Sequence, residues 1–126
     1  MSHEPLIAIV DDDESFRESV QALLQSAGRR AVTFPSAEQF LASGAAATAD
    51  CLILDLRMPG IDGFELHRRM RAAGSRIPII VITAYSDDVS RARALAAGAA
   101  AFLPKPFQPD LFLQAIDAAM HKSWPS

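Results

Sequence analysis

Short apolar runs alternate with longer amphipathic segments along the chain. The runs cover residues 6–10, 31–34, 51–54, 79–82 and 100–103. The first and fourth runs are rich in β-branched residues and apolar at consecutive positions, which is typical of strands buried on both faces. The second run is shorter and less apolar, which is typical of an edge strand. The pattern therefore predicts five strands.

The segments between these runs carry the start and stop signals of helices. In the first segment, one apolar face is formed by Phe16, Val20, Leu23 and Leu24. Later segments open with capping or first-turn residues: Ser36 with Gln39, Asp62 with Glu65, Ser86 with Asp87 and Asp88, and Gln108 with Pro109. Four glycines stand where helices should end: Gly28, Gly44, Gly74 and Gly98.

Strands that alternate with helices over short connections predict an α/β domain. The expected architecture is a parallel sheet with helices on both faces, in one of a few doubly wound strand orders. We expect a single domain over residues 1–126, with its core in 6–121 and loose ends at 1–5 and 122–126.

Composition narrows the functional classes. The chain has 126 residues, of which 50% are hydrophobic and 21% charged, and a formal net charge of -3. This charge argues against bulk electrostatic binding to nucleic acid or membranes. We find no secretory signal and no apolar stretch near the roughly 18 residues of a transmembrane helix. The single cysteine, Cys51, can form neither an internal disulfide nor a zinc site and is expected in the core. These features favour a cytoplasmic protein.

Polar residues follow four of the five apolar runs. Asp11 and Asp12 follow the first run, Asp55 the third, Thr83 the fourth and Lys105 the fifth. Because parallel strands end at the same edge of a sheet, these side chains should converge there. Open α/β sheets bind ligands at that edge, near the point where the strand order reverses.

This set of side chains is suited to magnesium and to phosphoryl chemistry. The carboxylates of Asp11, Asp12 and Asp55 would repel one another, and magnesium accepts such oxygen ligands. With Lys105 and a divalent cation, the cluster is electrically neutral. A carboxylate beside a metal, a lysine and a hydroxyl can attack phosphorus and form an aspartyl phosphate. An ionised carboxylate needs no base. None of the three histidines, His3, His67 and His121, follows a strand where it could act as one.

Four sequence blocks together resemble a known family. They are residues 9–13, 54–63, 81–84 and 102–107. In this order and at these spacings, they resemble the receiver domain of two-component response regulators, the CheY-like superfamily, and are most similar to FixJ-type receivers. The resemblance spans about residues 6–121. It implies a flavodoxin-like (βα)5 fold with strand order 2-1-3-4-5 and phosphorylation of Asp55 by a sensor histidine kinase.

The resemblance also implies a metal site and a set of ligands. Magnesium would be held by Asp11 and Asp12, with Asp12 the more direct ligand. Asp55 and the backbone carbonyl of Arg57 would complete the protein ligands. Lys105 would contact the phosphoryl group, and the Lys105–Pro106 peptide bond would be cis.

Thr83 and Phe102 are implied to form the switch pair. On phosphorylation the hydroxyl would move toward the phosphate and the ring would turn inward, reshaping the face of helix 4, strand 5 and helix 5. Phe102 stands where some relatives carry tyrosine. Arg57 and Tyr85 occupy variable positions that tune phosphoryl lifetime in the family, and their bulk predicts slow self-dephosphorylation. The domain would thus catalyse its own phosphorylation and dephosphorylation without turning over a free substrate.

Other interpretations of these residues remain open from the sequence alone. Asp13 is expected to cap the first helix, and Asp11 with Asp12 is as consistent with capping or solvation as with metal binding. Asp55 alone could be a turn residue. The second functional hypothesis is an aspartyl-phosphate hydrolase of the haloacid dehalogenase type, but Arg57 stands where that family needs its second aspartate. A nucleic-acid binder is disfavoured because there is no basic stripe.

Partners follow from the resemblance. They are a sensor histidine kinase, a downstream effector domain or protein, and a phosphorylation-dependent homodimer through helix 4 and strand 5. Neither direct binding of nucleic acid nor membrane association is expected of this domain. Arg68, Arg69 and Arg71 are interpreted as the solvated face of the third helix, and Trp124 as an exposed residue that could begin a linker.

Overall fold

The computed structural model describes residues 5–123 and contains a five-stranded sheet with five helices. The strands are β1 (Leu6–Val10), β2 (Arg30–Phe34), β3 (Cys51–Leu54), β4 (Ile79–Thr83) and β5 (Ala101–Pro104). The helices are α1 (Glu14–Ser26), α2 (Ala37–Ser43), α3 (Gly63–Ala72), α4 (Asp88–Ala96) and α5 (Pro109–Ser123). A short 3-10 turn at Ala45–Ala47 precedes β3 and was not predicted.

The strands are all parallel and lie in the order β2-β1-β3-β4-β5, which confirms the expected topology. Val10 pairs in register with Leu54, so β1 and β3 end side by side at the point where the strand order reverses. Four strand limits differ from the prediction by one residue: β2 begins at Arg30, β4 ends at Thr83, and β5 is shifted at both ends, to Ala101 and Pro104. Thr83 is thus the last residue of β4 and does not follow it.

The ends of the chain differ in part from the expectation. Helix α5 continues to Ser123, beyond the predicted end of the core at residue 121. The remaining expectations for the ends, including those for His3 and Trp124, fall on residues 1–4 and 124–126 and lie outside the described residues. Between residues 5 and 123, we find no helix with the length and apolar character needed to cross a lipid bilayer.

Two hydrophobic clusters lie on opposite faces of the sheet. Adjacent strand residues face opposite sides, so Ile9 belongs to one cluster and Val10 to the other. One cluster includes Phe40 of α2 and the inner faces of α3 and α4. The other includes Phe112 of α5 and the inner face of α1. Cys51 is buried in this second cluster, as predicted, and burial raises the pKa of its thiol to about 12.

The predicted helix ends are confirmed. Side-chain oxygens of four residues accept a hydrogen bond from the N–H three positions later: Asp13, Ser36, Asp62 and Asp87. The four glycines predicted at helix ends all have positive φ, from +78° to +102°. Helices α1 to α4 therefore begin at a short polar residue that caps the first turn and end near a glycine with left-handed backbone.

The three arginines of α3 do not share one environment. Arg68 and Arg69 are exposed and pair with Glu65, as a solvated face requires. The interpretation of Arg71 is wrong: its guanidinium Nη1 donates to the carbonyls of Ser75 and Ile77, at 3.1 and 3.0 Å. Arg71 therefore fixes the chain entering β4.

Candidate functional site

Three carboxylates meet at the carboxyl edge of the sheet. Each of Asp11, Asp12 and Asp55 offers one carboxylate oxygen, and these oxygens lie within 4.8 Å of one another. Asp11 follows β1 and Asp55 follows the adjacent β3, which explains how residues 44 positions apart come into contact range. Asp11 and Asp55 are buried, at 1% and 7% exposure, whereas Asp12 is exposed. The cluster therefore has two buried carboxylates and one that faces solvent.

Lys105 connects two of the three carboxylates. Its Nζ donates to Asp11 Oδ2 at 2.6 Å and to Asp55 Oδ2 at 3.2 Å. Its backbone N–H donates to the carbonyl of Thr83 at 2.9 Å, which continues the pairing of β4 with β5. The Lys105–Pro106 peptide bond is cis, as the resemblance implied. The lysine that contacts two of the carboxylates therefore follows β5, the strand at one edge of the sheet.

The charges of this cluster are not balanced by the protein alone. Burial raises the pKa of the Asp11 carboxyl, although the hydrogen bond from Lys105 acts in the opposite direction. For Lys105, burial opposes the charged form, but the hydrogen bond to Asp11 and the attraction of both carboxylates outweigh it and raise the pKa of the ammonium group. One ammonium group among three carboxylates leaves an excess of negative charge, which favours a further cation.

The donor set fits a hard divalent cation. Three carboxylate oxygens close together, one of them exposed, are the ligands that magnesium prefers. The backbone around Asp11 is also held firmly: its Oδ1 accepts from the N–H of Asp13 at 2.9 Å, and its carbonyl accepts from Arg17 Nη1 at 2.8 Å. The structure thus presents an oxygen site whose most buried member is fixed by the N-cap residue of α1 and by Arg17 on that helix.

The loop that follows Asp55 is held tightly against β3. The N–H of Arg57 donates to Asp55 Oδ1 at 3.4 Å, and the N–H of Gly63 donates to the carbonyl of Leu56 at 3.0 Å. A Cβ atom at Gly63 would lie 2.3 Å from the carbonyl oxygen of Asp55 and 2.8 Å from Leu56 Cα. Only glycine permits so close an approach. The start of α3 therefore packs directly against the backbone of Asp55.

The predicted switch residues lie at the same edge or just below it. Thr83 is fully buried, and its hydroxyl oxygen accepts from the N–H of Tyr85 at 3.1 Å. Phe102 is 5% exposed and packs in the cluster that includes Val10. The guanidinium carbon of Arg57 lies 4.3 Å from the centroid of the Tyr85 ring. This stack joins the loop after Asp55 to the loop after Thr83.

Neither of the two described histidines, His67 and His121, belongs to the carboxylate cluster. His67 is buried in α3, where burial, reinforced by Arg71, lowers the pKa of its imidazole, and its Nε2 has no hydrogen-bond partner among the described residues. His121 lies near the far end of α5, which starts close to Lys105. His3 falls outside the described residues.

Two neighbours of the site were missed by the sequence analysis. The periodicity places Phe16 only on the apolar face of α1, yet its ring centroid lies 4.1 Å from Lys105 Nζ. Glu38, in the first turn of α2, accepts from the N–H of Ile61 at 3.2 Å and so restrains the loop that follows Asp55. No sequence signal marks either contact, because both join residues that are distant along the chain.

Comparison with known proteins identifies relatives over most of the chain. A family model described as "Response regulator receiver domain" matches residues 7–117. The transcriptional regulatory protein FixJ of Bradyrhizobium diazoefficiens is 38% identical over 120 residues, which are 95% of this chain and 58% of that protein. The response regulator protein TodT of Pseudomonas putida is 38% identical over 115 residues, which are 91% of this chain and 51% of that protein. The chain thus spans about half the length of these curated relatives.

Solved structures give the same picture. FixJ-N superposes with a TM-score of 0.88 at 34% identity, with 99% of this chain and 100% of that chain covered. The response regulator StyR superposes with a TM-score of 0.87 at 42% identity, with 95% of this chain and 61% of that chain covered. The Vibrio cholerae chemotaxis protein CheY4 gives a TM-score of 0.84 at 29% identity, with 93% of this chain and 99% of that chain covered.

Proposed function

Because the chain belongs to the family of response regulator receiver domains, which are the phosphoacceptor switches of two-component systems, we propose that Asp55 is its phosphoacceptor and that a sensor histidine kinase is the donor. The observation that carries this proposal is the meeting of Asp11, Asp12 and Asp55 with Lys105 at one edge of the sheet. The haloacid dehalogenase hypothesis is not favoured, since the family match and Arg57 both oppose it.

The transfer itself asks little of the protein beyond placing and neutralising charge. An oxygen of the ionised Asp55 carboxylate attacks the phosphorus of a phosphohistidine. The new O–P bond forms as the P–N bond breaks, and the imidazole leaves with the electron pair and takes a proton from solvent. Lys105 Nζ, 3.2 Å from Asp55 Oδ2, is placed to meet the negative oxygens of the transferred group.

The site residues also support magnesium as the cofactor. Asp11, Asp12 and Asp55 would hold the ion, and the family membership adds the backbone carbonyl of Arg57 as a further proposed ligand. When bound, the ion would supply positive charge to the oxygens of the transferring phosphoryl group. The excess negative charge around Lys105 and the exposure of Asp12 both favour this assignment.

The state of Asp55 would be read out through Thr83 and Phe102. The buried Thr83 hydroxyl accepts one hydrogen bond, from Tyr85 N–H, and its own proton can be donated to a phosphoryl oxygen. A shift of Thr83 toward Asp55 would change the packing around Phe102, which lies two places before the end of β5. We propose that this reshapes the face formed by α4, β5 and α5.

Arg57 and Tyr85 support a long-lived phosphoryl group. Their side chains stack on each other and join the two loops on either side of the site. A stacked pair of this size would hinder the water molecule that hydrolyses the aspartyl phosphate. Slow self-dephosphorylation therefore belongs to the proposal, together with self-catalysed phosphorylation from the donor.

The biological setting is also proposed. We place this receiver in the cytoplasm as one domain over residues 1–126, acting between a kinase and an effector. Phosphorylation-dependent dimerisation through α4 and β5 is the proposed mode of output, and the domain itself contacts neither nucleic acid nor membrane. Two relatives are named as a transcriptional regulatory protein and a response regulator protein, which supports a downstream effector for this receiver.

The test is phosphorylation by a small-molecule donor. The protein is incubated with phosphoramidate and magnesium, and intact mass is followed with time. We expect one added phosphoryl group, which does not form when magnesium is chelated before the donor is added and which is absent in Asp55→Asn. Asp110→Asn, an exposed carboxylate in the first turn of α5, is the matched control and should react like the wild type. A phosphoryl group retained in Asp55→Asn, or sustained turnover of a phosphate monoester, would contradict the assignment.

A further inference from the structure

The ammonium group of Lys105 has a neighbour besides its two carboxylates. Nζ lies 4.1 Å from the ring centroid of Phe16, over the face of the ring. A cation within about 6 Å of a ring centroid is attracted by the electron-rich face. The Lys105 side chain is only 15% exposed, so water competes weakly for the ammonium group. Lys105 is therefore bound by charge on one side and by an aromatic face on the other.

The Phe16 ring is itself held in place by other aromatic residues. It meets the Phe107 ring edge to face, with centroids 5.9 Å apart and planes at 82°. Phe107 in turn packs against the fully buried Phe112, at 4.8 Å. Phe107 lies two residues after Lys105, so the same row of rings supports α1, the loop that carries the lysine, and α5. The Phe16 ring is consequently supported by packing contacts that involve neither carboxylate.

We propose that Phe16 is a positioning residue for Lys105, which it keeps beside Asp55 during phosphoryl transfer. This inference rests on the proposed role of Asp55. The two carboxylates that hold Nζ are the groups that the reaction engages, since a cation would draw on Asp11 and the phosphoryl group is attached to Asp55. The Phe16 ring takes part in neither cation binding nor phosphoryl attachment. It therefore remains available to hold a flexible four-carbon side chain when its ionic partners change.

An aliphatic side chain at position 16 could not do this. Leucine would still pack against Phe107 and the stem of the lysine, but it has no electron-rich face to attract the ammonium group. The proposal thus separates two effects of the same ring. In Phe16→Leu the packing contacts should remain, and the attraction between the ring face and the ammonium group of Lys105 should be lost.

The experiment compares rates of Asp55 phosphorylation by phosphoramidate with magnesium, followed by intact mass. We expect Phe16→Leu to react roughly three- to tenfold more slowly than wild type, and Phe16→Tyr to stay within about twofold of it. Mono-, di- and trifluorinated phenylalanine at position 16 keep the shape of the ring while weakening its face, so the rate should fall with each fluorine. Phe112→Leu disturbs the row of rings without contacting the lysine and is the matched packing control.

A double-mutant cycle decides whether Phe16 acts through Lys105. In a Lys105→Met background, Phe16→Leu should cause no further loss of rate. Magnesium affinity, measured by calorimetry, should be the same in Phe16→Leu and wild type, because the role assigned to the ring concerns Lys105 and not the carboxylates.

Three results would overturn the inference. They are an unchanged rate across the fluorinated series, equal slowing by Phe112→Leu and Phe16→Leu, and further slowing by Phe16→Leu when Lys105 is already methionine. Failure of the proposed function looks different, because the wild-type protein would then acquire no phosphoryl group at all, and the inference would fall with it.

Discussion

The close approach of α3 to the backbone of Asp55 yields a sharp prediction about Gly63. In Gly63→Ala the new Cβ would lie 2.3 Å from the Asp55 carbonyl oxygen, 2.8 Å from Leu56 Cα and 3.0 Å from the Asp55 carbonyl carbon. These are backbone atoms and cannot rotate away as a side chain would. The backbone of Asp55, the start of α3, or both must therefore move by several tenths of an ångström.

The expected loss of stability can be set against a second glycine. Overpacking of this kind costs about 1–3 kcal/mol, and alanine recovers up to about 1 kcal/mol through its better helix propensity. We expect Gly63→Ala to lose about 1–2 kcal/mol. At Gly28, φ is +78° and a Cβ atom would have no other atom within 4 Å, so Gly28→Ala loses stability only through its left-handed backbone, also about 1–2 kcal/mol. The two variants are thus matched in stability and differ in what they displace.

The assay measures urea unfolding, magnesium affinity by calorimetry and the rate of phosphorylation by phosphoramidate. Gly63→Ala should lose about tenfold or more in rate, since misplacing a reacting group by about 1 Å can cost on the order of 100-fold. Gly28→Ala, at the other end of the sheet, should match the wild type in rate and affinity. Equal rates for the two variants at equal stability would refute the view that the position of Asp55 depends on glycine at residue 63.

Three further predictions concern other parts of the molecule. Replacing Arg57 and Tyr85 together by alanine should shorten the lifetime of the phosphoryl group several-fold, measured by loss of label after the donor is removed. An unchanged lifetime would show that the stacked pair does not slow hydrolysis. Burial, together with the charge of Arg71, lowers the pKa of His67 in the folded state. The free energy of unfolding should therefore fall as the pH drops below about 6.5, the pKa of histidine in the unfolded chain. His67→Met should reduce this fall in urea unfolding, and an identical pH dependence in both proteins would contradict it. Cys51, with a thiol pKa of about 12, should react with thiol reagents only as fast as the protein unfolds, and faster labelling would show local opening.

The fold and the acidic site were predictable because their signals are local in sequence. The strand run at residues 79–82 is β-branched and apolar at every position, and Asp55 directly follows another apolar run, so topology alone brings it beside Asp11. Contacts that depend on side-chain reach were not predictable. Arg71 looks like its exposed neighbours in sequence, yet it caps a carbonyl six residues away. The contact of Phe16 with Lys105 joins residues that no periodicity relates.

The interior is divided by the sheet into two half-cores, and this has a consequence for how the sequence can vary. Phe40 and Phe112 lie in different halves, with the strands between them. Destabilising changes at such separated positions add with little coupling. Each half can therefore drift or be redesigned while the other keeps its packing. A variant repacked around α1 and α5 should therefore leave the packing around Phe102 unchanged, so the half-core beneath the switch ring can evolve separately from the other one.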